Sequence, residues 1–80
     1  MKDFQFAAYF ENEVLRKRPY LSKEMCILVV LHPLKMQRQT DGRIRYWAAV
    51  PELEGRFLRV VTLDDGITIL NAFPDRGFKP

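Results

Sequence analysis

Apolar and polar positions change rhythm partway along this 80-residue chain. In the first part, apolar residues recur at spacings of three and four. Phe4, Ala7, Ala8, Phe10, Val14 and Leu15 fall near one stripe, with Glu11, Glu13 and Arg16 elsewhere, which predicts a first helix over 4–17. Phe6 and Tyr9 widen its apolar side. Pro19 ends it, because proline disfavours helical geometry in the residue before it. A second helix is predicted from Ser22, a good N-cap type, and Glu24 puts negative charge near the positive end of its dipole. Met25, Leu28, Val29 and His32 share one side. Ile27, Val30 and Leu31 make this helix apolar almost all round, so it should be buried against something large. A short buried strand competes for the same run, since Ile27, Val29 and Val30 favour extended structure; capping and length favour the helix. Pro33 stops the element.

Beyond Pro33 the period is two. Residues 34–40 alternate as an edge strand with one polar face. Asp41-Gly42 is the strongest turn signal in the chain. Strands are predicted over 43–50, 56–63 and 67–73, joined by a longer connection at 51–55 and a tight turn at Asp64-Asp65-Gly66. The order implies an α+β domain: two N-terminal helices packed on one face of a four-stranded antiparallel sheet, in one domain spanning 1–80. The tail after Pro74 is polar and short, either ordered against the sheet or frayed.

Alternation sorts the strand residues into two faces. Pairing Leu63 with Ile67 puts Phe57, Arg59, Val61 and Leu63 on one face with Ile67, Ile69, Asn71 and Phe73. The economical assignment places Ile44, Tyr46, Ala48, Leu58, Val60 and Leu70 under the helices. Arg45, Trp47, Arg59 and Asn71 are then displayed on the opposite face. Arginines beside an aromatic ring can grip phosphate while the ring stacks on a base. Equally, Arg45 and Arg59 can pair with Glu52, Glu54 or Asp65 while Trp47 completes a small core. Asp75 and Arg76 follow the last strand and can fold back over that face.

Composition narrows this picture only a little. Hydrophobic residues make up 48% and charged residues 29%, which is globular, and the net charge of +3 permits an acidic or nucleic-acid partner. Cys26 is the single cysteine, in an apolar run, so it reads as a small buried hydrophobe and no disulfide is implied. The N-terminal stretch carries acidic residues and no signal-peptide pattern, and MCILVVL is far short of the ~20 residues a membrane span needs. A soluble cytoplasmic protein without membrane contact is expected. No phosphate loop, nucleophile elbow or paired-carboxylate signature is present, and His32 and Cys26 cannot make a zinc set, so no metal or cofactor is expected. His32 is the one histidine; it reads either as a helix-end group or as a base with a pKa near neutrality. Arg16-Lys17-Arg18 reads either as a solvated helix end complementing the dipole or as an RNA-backbone contact.

The segment LRVVTLDDGITILNAFPDR resembles the small nuclease toxins of the RelE and BrnT type and, more broadly, the barnase–EndoU–colicin–RelE fold group. SKEMCILVVLHP is similar to that group's helix leading through a proline into the first strand, and the resemblance runs from about Pro19 to the end. It implies a metal-independent endoribonuclease, the toxin of a toxin–antitoxin pair, whose helix-opposite sheet face cuts RNA. Carried over by position, the resemblance picks out Arg59, Asn71, His32 and Arg76. In the nuclease it implies, His32 is the base, Arg59 and the Arg45 that shares its face clamp the phosphoryl oxygens, Asn71 orients the phosphate by hydrogen bonding, and Arg76 assists the leaving group. Trp47, Arg16, Lys17, Arg18 and Lys79 are expected to touch RNA, and an acidic antitoxin protein is the expected partner. BrnT-like chains carry Ser-Ala-Arg where this one has Asn71-Ala72-Phe73, and they add a C-terminal helix. The same face also suits a non-catalytic interaction domain or a simple RNA-binding module.

Overall fold

A computed structural model describes residues 3–80. The α+β class holds, but the sheet has five strands and is mixed. Its order is β1-β5-β4-β3-β2, with β1 at Gln5–Phe6, β2 at Lys35–Arg38, β3 at Ile44–Val50, β4 at Arg56–Thr62 and β5 at Thr68–Pro74. β1 runs parallel to β5, and the other pairings are antiparallel.

The added strand replaces the start of the expected first helix. Phe4 and Phe6 alternate with exposed Asp3 and Gln5, which is strand periodicity. β5 would otherwise present an open edge there. Gln5 N–H donates to Ile67 O at 3.0 Å and Ala7 N–H to Ile69 O at 2.9 Å, closing part of that edge. A helical segment, α1, follows over 8–17, and its middle, Phe10–Val14, is π-helical. The wider turn sets Phe10 and Val14 into the core, at 0% and 1% exposure, and stacks Phe10 on Phe6 at 5.7 Å. Arg18 leaves helical geometry before Pro19, as expected.

The second helix, α2, is Lys23–Leu31, and Ser22 caps it by accepting from Met25 N–H at 3.1 Å. It is not buried all round. Cys26, Val29 and Val30 pack on the sheet, whereas Leu28 and Leu31 are exposed, because no further layer lies outside the helix. Cys26 sits fully inside, and burial, with Glu24 adding to it, pushes its thiol up to about 12. It is a packing residue, as its apolar run suggested.

Strands β3 and β4 pair in the expected parity. Ile44, Tyr46, Val50, Leu58 and Val60 face the helices. The one buried polar residue among those described, Thr62, shares a 3.1 Å hydrogen bond with the Tyr46 hydroxyl and donates to Leu63 O. In β5 the expected register is wrong by a bulge. Val61 pairs with Asn71 but Thr62 with Ile69, so Leu70 is the extra residue. Ile69 therefore enters the core and Leu70 turns to the opposite face, the reverse of the alternation-based assignment. The tight turn before β5 is closed by Asp65, whose carboxylate accepts from the Ile67 and Thr68 amides, with Gly66 at φ +72°. The tail is ordered: Asp75 N–H donates to Phe57 O at 2.9 Å, prolonging the β4–β5 ladder.

Candidate functional site

The helix-free face of the sheet is concave. Pairings Arg45↔Val61, Trp47↔Arg59, Arg59↔Phe73 and Val61↔Asn71 put these side chains on one face, as period two requires. Arg43, Arg45, Arg59, Asn71, Phe73 and Tyr9 line a hollow of about 430 Å³ there. Among the described residues no carboxylate belongs to its lining, which includes three arginines, although Asp75 and Asp41 outside it pair with Arg59 and Arg43. Three of the expected site residues, Arg45, Arg59 and Asn71, are thus brought together.

Their environments differ. Arg59 is fixed. Its Nε and Nη2 donate to Asp75 Oδ2 at 3.1 and 2.9 Å, and Trp47 Nε1 donates to the same oxygen at 2.9 Å. The guanidinium lies over the Phe73 ring at 4.8 Å and the Trp47 ring at 5.6 Å. Phe78 covers Trp47 in a parallel stack at 5.1 Å and meets Phe57 edge-on. The cross-strand partner expected for Arg59 was Glu52, Glu54 or Asp65; the tail residue Asp75 takes that role, and Glu54 pairs with Arg56 instead. Arg45 has no carboxylate within ion-pair distance among the described residues. The surrounding donors and acceptors favour the Gln39 amide with its oxygen towards Arg45, where it would accept from Nε at 2.8 Å and from a second guanidinium nitrogen. Arg43 stands 3.8 Å from Asp41, an exposed and weak pairing. Asn71 accepts from the Ala72 amide through its oxygen, which leaves its NH₂ group as a donor.

The Trp47 hydrogen bond most of all, helped by the hydrogen bond and charge of Arg59 and by the Gly77 amide, holds the Asp75 carboxyl below the usual range, against burial, which is second in size and pushes it up. A lowered carboxyl pKa stabilises the fold fully above the unfolded value of about 3.9, and that contribution fades as pH falls through the lower folded value. Asp75→Ala should therefore cost about 2 kcal/mol at neutral pH. In urea titrations, the gap between variant and wild type should close as pH drops from 5 to below 3. A gap independent of pH would show that the carboxylate charge is not what holds the tail.

The remaining expected residues lie elsewhere. His32 caps the C-terminal end of α2 and lines a groove with Met25, Leu28, Ala48 and Pro51, on the helical side. Arg59 is on the other side, so the two cannot serve one phosphate and a mechanism using both is not assembled. Arg76 lies across the tail from the hollow, near Arg56 and Phe57. Arg16 and Lys17 are exposed and near Glu13 at 3.7 and 3.8 Å, and neither they nor Arg18 lines the hollow. Lys79 flanks a neighbouring recess that Trp47 and Arg59 also line. Trp47 itself is buried, at 5% exposure, rather than displayed. Among the described residues no three His, Cys, Asp or Glu side chains cluster to hold a metal ion.

Sequence reasoning missed four residues here. Arg43 was placed on the strand but not counted at the site, although its odd number set it on the Arg45 face. Gln39 followed from the same hairpin parity. Tyr9 carried no signal, since it reaches the hollow from α1 through the β1–β5 pairing that the sequence hid. Phe78 had only its aromatic character to mark it. Searches against protein-family models, curated proteins and solved structures found no match to this chain.

Proposed function

We propose that the concave face binds single-stranded RNA through its phosphates. One observation carries this reading: three arginines from neighbouring strand positions line one hollow free of carboxylates, beside the flat rings of Tyr9 and Phe73. Arg43 and Arg45 take one phosphate each, because Arg59 is already held by Asp75. A base stacks on the exposed Tyr9 ring, and the Asn71 NH₂ group meets a sugar or phosphate oxygen. An acidic antitoxin, as the RelE and BrnT resemblance implies, would compete for the same cationic face.

The ribonuclease implied by that resemblance is the second reading, and Tyr9 supports it. Among the described residues its hydroxyl is the only titratable group other than arginine in the lining. As acid it would give its proton to the departing 5′-oxygen while the 2′-oxygen attacks phosphorus; the bond to the 5′-oxygen breaks, water takes the 2′-hydroxyl proton, and the phenolate regains a proton from solvent. Arg45 would steady the charge on the phosphoryl oxygens.

One assay addresses both readings. A labelled RNA octamer is titrated with the protein in EDTA, and the mixture is then run on a denaturing gel. Binding is expected, with a log K against log salt slope of about −1.4 for two phosphates on a single strand. No binding at low salt would remove the RNA reading. Cleavage that persists in EDTA and disappears in Tyr9→Phe would establish the enzyme, and intact RNA would leave a binding module.

A further inference from the structure

The tail returns over the sheet face that carries Trp47 and Arg59. Three N–H donors, Trp47 Nε1 and Arg59 Nε and Nη2, converge within 3.1 Å of one oxygen, Asp75 Oδ2. That is a seat for a single anionic oxygen. The other carboxylate oxygen is turned away and accepts from the Gly77 amide within the tail. Three residues on, the Phe78 ring lies on Trp47 at 5.1 Å with 13° between the planes, as a base lies on an aromatic platform. Carboxylate and ring together occupy the positions of one phosphate and one base.

We propose that Trp47 and Arg59 form a nucleotide station for single-stranded RNA, which the chain's own Asp75 and Phe78 occupy when RNA is absent. This rests on the RNA reading above and extends it to a second, adjoining position. Arg59 lines both recesses, so the two stations are continuous. Lys35 and Lys79 flank the second one, which stays cationic even with Asp75 in place. Phe78 can leave without breaking the sheet. The ladder ends at the Asp75 amide, and beyond it the described backbone hydrogen bonds stay within the tail, with Phe78 N–H donating to Asp75 O at 3.3 Å. Stacking of a base on tryptophan is at least as favourable as stacking of phenylalanine, so RNA can displace the ring. The neighbouring arginines then hold successive phosphates.

The test compares full-length wild type with Phe78→Ala, using anisotropy of a labelled RNA octamer and emission of Trp47, the only tryptophan. Phe78→Ala should bind about fivefold more tightly, because RNA no longer competes with the ring. Saturating RNA should quench Trp47 in both proteins. Equal or weaker binding by a folded Phe78→Ala, or Trp47 emission unmoved by RNA, would overturn the station while leaving the arginine hollow intact. Absence of binding by both proteins would remove the RNA reading and this inference with it. If circular dichroism shows that Phe78→Ala does not fold, Phe78→Leu keeps bulk without the flat ring and is read by the same criteria.

Discussion

Phe10→Ala is expected to remove about 3–5 kcal/mol of stability, measured by urea denaturation at neutral pH. Phe10 is among the largest side chains with no exposed surface, and it sits where α1, β1 and the sheet meet. It stacks on Phe6, while Val14, one π-helical turn later, is buried alongside it. The site cannot collapse easily, because the parallel β1–β5 pairing fixes Phe6, on which Phe10 stacks, beside its register partner Ile69. An 80-residue domain has about 4–12 kcal/mol in total at ordinary per-residue values. The substitution therefore takes a large share of the margin, and near the lower end it unfolds the protein at 37 °C. Tyr9, its neighbour, is 53% exposed, so Tyr9→Ala should cost little stability. A small loss at Phe10 would mean that the N-terminal segment is not part of the cooperative core.

That contrast between adjacent residues shows where the sequence was legible. Strands β3 and β4 were readable because their two parities differ: Arg45, Trp47 and Arg59 against Ile44, Tyr46, Leu58 and Val60. The Asp41-Gly42 turn fixed the hairpin entering them, and Gly42 takes φ +91° there. In β5 the run Ile69-Leu70 is apolar in both parities, so alternation carried little register information there and the bulge went unseen. The first residues failed for a related reason. Phe4 and Phe10 fall near a helical stripe that Phe6 widens, but the spacing of two between Phe4 and Phe6 also suits a strand, and the open edge of β5 decides between them.

The site was half legible for the same physical reasons. Which arginines share a face follows from parity alone. Which of them is available follows from where the tail returns, and Asp75 lies 28 residues from Trp47 and 16 from Arg59. Local pattern does not reach that far. His32 illustrates the limit from the other direction: its place at a helix end was correct, but nothing in the sequence said that this end opens on the helical side of the sheet.

Among the residues proposed to bind RNA, the one that best separates charge from architecture is therefore Arg45, not Arg59. Removing Arg59 strips Asp75 and Trp47 of a partner, so any loss of RNA binding would be mixed with loss of the tail. Arg45 is tied only to the Gln39 amide and is partly exposed, so its charge can be reversed at little structural cost. In Arg45→Glu the new carboxylate meets Arg43 and Arg59 inside the hollow, which tolerates it in the fold but cancels the field that attracts phosphate. Affinity for a single-stranded RNA octamer should drop about a hundredfold at low salt, one phosphate contact being lost and a like-charge contact created. The thermal midpoint should stay within a few degrees. The difference between the two proteins should shrink as salt rises and the Debye length falls below the width of the hollow. Unchanged RNA affinity in a folded Arg45→Glu protein would show that the guanidinium cluster does not read phosphate, whatever else binds to this face.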